Sequence, residues 1–402
     1  MQKQLKTRAI GKTQYNITLS VLMFLYCATL PFEEALASSL GSVLRLIGIA
    51  IIGYCILLYV KEPIKPETLA LLMPFLIWLF WAGISVIWSD DFSWWSYFFG
   101  VYFVQVVFLA VVLFYSEHID IRYIKNGLIV GAFIAATLLI FMQSDAVLTK
   151  EGRRTLIILG KEFDPNIVAS IIILGLFANI DKIFCKVKNR KLYILLTVYL
   201  AIGMLYTGSR GALISFVAGF AVQILLELKK KKTRKIAILM LGVCFIGVII
   251  ALAVLPEELI LSRFSKETIF GINELKNGEH NRYTIWGYAV ELIKKSPVIG
   301  YGCGNFFSAI AKVYKQTASH NMYILVMLEE GIIGFSVLLF GIGKLLINTY
   351  KRQLYSIFAM LFSICVMALT LDSITYKYFW VAIILSAISI KESNGREITE
   401  NE

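Results

Sequence analysis

His320, Arg210 and Arg282 combine side chains suited to chemistry with positions at the starts of candidate helices. An unperturbed imidazole titrates near pH 6.5, so a histidine can take a proton from a hydroxyl at neutral pH. His320, one of three histidines in the chain, stands with Asn321 where a long polar link meets an apolar run. Arg210 closes the turn Thr207-Gly208-Ser209-Arg210, which is too short to carry it away from the two apolar runs it joins. A charge at a membrane helix centre costs on the order of 2.5–3.5 kcal/mol, so a membrane-adjacent arginine tends to have a partner or a task. Arg282 precedes Tyr283 to Lys295, where Trp286, Ala289, Val290 and Ile293 recur at helical spacing and Asn281 can cap the start. Free N–H groups in a helix's first turn favour an anion, and the planar guanidinium fork suits phosphate better than the point charge of a lysine. Each residue has a structural alternative: an outward-snorkelling Arg210, an exposed helix-end Arg282, a capping His320.

The elements that must position these residues are apolar. Hydrophobic residues make up 58% of the 402 positions and charged residues 16%, against roughly 45–50% and about 25% in soluble domains, which argues against a soluble enzyme. Runs long enough to cross a hydrocarbon core of about 30 Å lie near 17–32, 39–60, 68–88, 94–115, 123–143, 166–181, 192–207, 211–227, 236–254, 321–347, 353–371 and 375–390. They predict an all-α integral membrane protein with about twelve transmembrane helices. Residues 1–255 hold nine of these, 256–320 form one large extracytoplasmic loop, and 321–402 hold the last three and a cytoplasmic tail.

The net charge of +12 comes from lysines and arginines in short links, not from one helix face, so it reads as a topology signal and not as a nucleic-acid surface. Lys3 to Lys12, Lys61 and Lys65, Lys182 to Lys191, Lys229 to Lys235, and Lys344 to Arg352 alternate with acidic or neutral links such as Glu33-Glu34, Asp90-Asp91 and the one near Asp372. Both termini are therefore expected inside. The exception is 143–166, an outer segment that carries Lys150, Arg153, Arg154 and Lys161. The first apolar run and Ala35-Leu36-Ala37 imitate a cleavable signal peptide, but the run also serves as a first span and is expected to be retained. Of six cysteines, Cys303 alone is expected in the outer compartment, without a disulfide partner there.

Several motifs carry less. Gly300-Tyr301-Gly302-Cys303-Gly304 follows no strand and opens no βαβ unit, so it is no nucleotide loop. Asp90-Asp91 lacks a third metal ligand nearby, and no Cys/His spacing matches a zinc site. Glu329 and Glu330 lie inside the tenth apolar run. On one continuous helix His320, Tyr323, Met327, Gly331 and Gly334 share a face and Glu329 points away, so Glu329 is expected to orient the helix and not to move a proton.

Thr207-Gly208-Ser209-Arg210-Gly211-Ala212, then Arg282-Tyr283-Thr284-Ile285-Trp286 leading to Ser296-Pro297-Val298-Ile299-Gly300-Tyr301-Gly302, then His320-Asn321 with Glu329 and Gly331 downstream, resemble the O-antigen ligase and O-antigen polymerase superfamily. The motifs cover about Arg153 to Gly334. The resemblance implies a GT-C-like membrane fold and a metal-independent, inverting transferase that takes a glycan from undecaprenyl diphosphate, with no cofactor. Arg210 and Arg282 correspond to the arginines that hold the lipid diphosphate, and His320 to the base. Arg153, Arg154, Asn166, Asn321 and Trp286 are expected to bind substrate, and Glu329, Gly331, Gly300 and Gly302 to be structural. Asp164-Pro165-Asn166 stands where the family often has an Asn-Pro-Asn-like ending, and no role is carried over to Asp164.

The implied partners are the lipid-linked glycan donor, a glycan or lipid-glycan acceptor and membrane lipids. A lipid-linked oligosaccharide flippase or other membrane transporter is the alternative, although transporters often show internal repeats with midplane sites, and here the candidate residues gather at one face. The richness in Lys and Ile tilts the choice of acceptor toward a repeat-unit polymerase, of capsule or exopolysaccharide type, over a ligase.

Overall fold

The computed structural model describes residues 15–33, 42–58, 65–141, 153–158, 161–185, 188–264 and 282–401. The described residues are almost wholly helical. In chain order the helices are α1 (Ile17–Thr29), α2 (Val43–Leu58), α3 (Pro66–Ile84), α4 (Phe92–Phe114), α5 (Ile121–Phe141), α6 (Pro165–Phe184), α7 (Arg190–Tyr206), α8 (Arg210–Lys229), α9 (Arg234–Val254) and α10 (Glu257–Phe264). They continue with α11 (Arg282–Lys295), α12 (Phe306–Ala311), α13 (Met322–Lys351), α14 (Tyr355–Met367) and α15 (Lys377–Asn401). A helix lies on each of the twelve apolar runs read from the sequence. Seven helical stretches among the described residues are long and apolar enough to cross a membrane, from Pro66–Ile87 to Met322–Lys351, and Ile17–Phe32, Val43–Leu58 and Tyr355–Met367 are shorter apolar helices. The protein is a polytopic membrane protein. One feature outside the all-α expectation is a two-residue antiparallel pair, β1 (Ile157–Ile158) with β2 (Lys161–Glu162), ahead of α6.

Short polar side chains start several helices by accepting from orphan N–H groups. Asn16 caps α1, Asp91 caps α4, Asp164 caps α6 ahead of Pro165, Ser209 caps α8 and Asn321 caps α13. The centre of the bundle is α6 and the first half of α15, whose residues from Tyr378 to Ile390 are all buried. Gly175 on α6 and Gly203 on α7 sit against Ala132 and Ala136 of α5, the small-residue contact by which helices approach closely in lipid. At one end lie the lysine-rich links, where Lys125 pairs with Asp181 at 2.7 Å and Lys230 donates to the Gln353 carbonyl. The other end carries α10 to α12.

α13 is not one rod. Gly331 has φ 62° and ψ −167°, which breaks the helix between Glu330 and Ile332. A shared face running from His320 to Gly334 therefore does not exist, because the 100° progression stops at the break. The released groups are taken up by the segment 296–302. Tyr301 N donates to the Leu328 carbonyl (3.0 Å) and Gly302 N to that of Glu329 (2.7 Å), while Ile332 N donates to Pro297 O (2.9 Å). Unpaired backbone is not tolerated in hydrocarbon, so this clasp makes the break possible.

Two further expectations change. The fully buried residues of α11 are Ile285, Ala289 and Leu292; of the anticipated stripe, Ala289 is buried, Trp286 and Ile293 are half-buried against the core, and Val290 is exposed. Cys303 does not face an aqueous compartment: it is fully buried, and burial pushes its thiol well above the usual range. Asn281, the amino-terminal basic residues, Lys150 and Ala35-Leu36-Ala37 lie outside the described residues.

Candidate active site

The turn between α7 and α8 holds the first half of the site. Gly208 adopts φ +61°, and a Cβ there would sit 2.8 Å from Arg153 Cγ and 3.1 Å from Leu259 Cδ1, so the turn is closed on both sides. Ser209 Oγ accepts from Ala212 N as the α8 cap and donates to Asn166 Oδ1 at 2.8 Å. The same Asn166 oxygen accepts from Arg153 Nη2 (3.1 Å), and Arg153 Nε donates to the Thr207 carbonyl (3.0 Å). Asp164 Oδ1 in turn holds both Asn166 N (2.7 Å) and Asn166 Nδ2 (2.9 Å). From α10, Arg263 Nε reaches the Gly208 carbonyl at 3.2 Å. Arg210, first residue of the 20-residue α8, thus stands at the positive end of a helix, directly after the turn whose carbonyls Arg153 and Arg263 hold.

Arg154 has a different surrounding. Its Nη1 donates to the Leu139 and Ile140 carbonyls (2.9 and 2.8 Å), and its guanidinium lies 4.0 Å from the centre of the Tyr206 ring. Buried and committed to the last carbonyls of α5, it caps that helix and does not join the Asn166 cluster.

The second half surrounds His320. This residue has φ 51°, a left-handed backbone that costs a non-glycine residue roughly 1–2 kcal/mol. Hydrogen bonds on both sides hold it there. Asn321 N donates to Asp372 Oδ1 (3.0 Å) and to Ser319 Oγ (3.0 Å), and Ser319 Oγ also bonds the Asp372 carboxylate. Trp286 Nε1 donates to the Ser319 carbonyl (2.8 Å), which ties α11 to the turn. Asn321 Oδ1 accepts from Tyr323 N and Ile324 N at the start of α13. Met322 N donates to the carbonyls of Ala368 and Leu371, and Gly211, next to Arg210, packs on Thr370. The turn after α14 therefore joins the starts of α8 and α13, and with them the two halves of the site.

Burial, and then the positive charge of Arg282, hold the His320 imidazole below the usual histidine range, while Asp372 and Asp164 pull the other way. Arg282, Asp372 and Asp164 thus surround one histidine that is biased toward its neutral, proton-accepting form. Two of these partners escaped the sequence reading. Asp372 registered as an acid in a short link, and Asp164 as a departure from a pattern. Arg263 also went unnoticed, though a basic residue in a short helix after an apolar run was a visible signal.

The structural group lies beside the site. Glu329 Oε1 accepts from Phe306 N (3.2 Å) at the start of α12 and is not bonded to His320. Gly300 and Gly302 have φ +69° and +94°. A Cβ on Gly300 would lie 2.6 Å from Gly331 N, and one on Gly331 2.6 Å from Ile299 N, so the clasp is backbone against backbone. Of the discounted acids, Asp90 pairs with Lys312 (2.6 Å) and Asp91 caps α4.

None of the curated proteins compared matches the chain. The family model described as O-Antigen ligase matches residues 195–339, which take in Arg210, Arg282, Trp286, His320, Asn321, Glu329 and Gly331. That stretch is similar to an O-antigen ligase domain, whereas Arg153, Asp164, Asn166 and Asp372, which complete the two halves of the site, lie outside it.

Proposed function

We propose that the chain is an inverting, metal-independent glycosyltransferase that moves a glycan from undecaprenyl diphosphate to a surface-polysaccharide acceptor. The observation that carries this reading is the convergence of His320, on its Asp372-held turn beside Arg282, with the Asp164, Asn166, Arg153 and Ser209 network next to Arg210. Breaking the anomeric C–O bond leaves charge on a diphosphate. Fixed guanidinium groups and the amino-terminal end of α8 stabilise that charge where it develops. The neutral imidazole takes the acceptor hydroxyl proton as the oxygen attacks from the face opposite the diphosphate, so one bond forms, one breaks, and configuration inverts. The proton then leaves His320 for solvent. Trp286 and Asn321 hold the turn that carries the base, and Arg153 with Asn166 orients the diphosphate.

In this reading twelve helices cross the inner membrane, both termini are cytoplasmic and 256–320 lie outside. A repeat-unit polymerase is favoured over a ligase on composition alone. Purified protein given a lipid-diphosphate glycan and an acceptor should join them, and a well-folded His320→Ala protein with wild-type turnover would remove the base from the mechanism. A deletion strain should accumulate single repeats on the lipid. Long lipid-linked chains there would instead assign ligase activity.

A further inference from the structure

Directly below the arginine cluster, α7, α8 and α9 leave a cavity of about 260 Å³, roofed by α10 and lined by apolar side chains. On α7 the lining climbs to Leu205, two residues before Thr207, whose carbonyl holds Arg153. On α8 it begins at Leu213, three residues or about 4.5 Å along the axis from Arg210. α10 faces both ways: Arg263 bonds the Gly208 carbonyl, while Ile260 and Phe264 close the top of the cavity. At the side the cavity opens toward lipid, since Val217, Val248 and Leu252 line it and are each more than half exposed. Cationic groups at the mouth and hydrocarbon below make a site for an amphiphile with an anionic head and a branched apolar tail.

We infer that this cavity binds the first isoprene units of the polyprenyl diphosphate donor, with α10 clamping the junction of head and tail. The inference rests on the proposed diphosphate site. An apolar cavity of about 150 Å³ holds benzene, so this one takes roughly two isoprene units, and the rest of the chain leaves through the side opening. A lipid held at that junction enters with its diphosphate already against Arg210 and Arg153, and the cavity reads chain structure where a phospholipid's glycerol ester would be misplaced.

Gly247 gives a clean test, because it lines the cavity and a Cβ there meets only Val198 at 4.0 Å. Gly247→Leu should weaken binding of sugar-free undecaprenyl diphosphate about tenfold by overfilling the pocket. Inorganic pyrophosphate, which has no tail, should compete equally well against wild type and variant. An undecaprenyl diphosphate carrying a diazirine in its first isoprene unit should crosslink to α7, α8 and α9, and an excess of phosphatidylglycerol should not displace it. Unchanged lipid affinity in a folded Gly247→Leu protein, or crosslinks displaced by phosphatidylglycerol, overturns the tail site and leaves the diphosphate reading standing. Lipid binding indifferent to both pyrophosphate and Arg210→Ala overturns the head site, and the inference with it.

Discussion

At the scale of single residues, the site turns on how one imidazole is kept neutral. Arg282 lowers its proton affinity and Asp372 raises it. Asp372→Asn keeps the oxygen that accepts from Asn321 but removes the charge, so the acid limb of the transfer rate should move to lower pH. Arg282→Gln should move the limb of its residual activity to higher pH, because the imidazole then holds its proton more tightly. Shifts in the same direction for both variants would dissociate the limb from His320. His320→Ala should cost about 10²–10⁴-fold in rate with normal insertion. Histidine and arginine types were legible in the sequence. Asp372 was not, because it lies 52 positions beyond His320 and only the fold of α13 and α14 returns it to the turn.

At the scale of elements, the break in α13 and its clasp form one unit. Gly331→Ala and Gly300→Ala each force a side chain into left-handed backbone and into another strand of backbone, and should destabilise by more than about 2 kcal/mol. Gly343→Ala, in open space on the same helix, should be neutral or stabilising by up to about 1 kcal/mol. Thermal unfolding in detergent separates the three. Arg154 and Arg153, neighbours in sequence, should part in the same way. Arg154→Ala frees the Leu139 and Ile140 carbonyls and should lower the melting temperature with the donor KM unchanged, whereas Arg153→Ala should raise that KM. Similar KM effects from both would return Arg154 to the substrate site.

At the scale of the whole molecule, the lysine-rich and site ends lie a bundle length apart. α8, 20 residues long, separates Arg210 from Lys229 by about 30 Å. Native Cys303 is a poor topology probe because it is buried and its thiol is held protonated. Cysteines introduced at exposed Lys312 and Lys232, in a background lacking the native ones, should answer differently to a membrane-impermeant maleimide. Lys312→Cys should react in spheroplasts and Lys232→Cys only after lysis, and the reverse pattern would invert the proposed orientation.

Apolar runs, their caps and the basic links are local signals, because a span must be continuous to cross hydrocarbon and a cap acts within three residues. That is why helices fall on the twelve runs, and why Asp91, Asp164, Ser209 and Asn321 start helices where they stand in the sequence. Side-chain partners at long range carry no such local mark. The helical wheel through Gly331 assumed a helix that backbone contacts with 296–302 interrupt, and nothing local marks Arg154 as a partner of the last carbonyls of α5. Which charges converge on His320, and what lies beneath Arg210, were decided by packing alone: Asp164, Arg282 and Asp372 are far apart in the chain and meet only when α6, α11 and the turn after α14 come together.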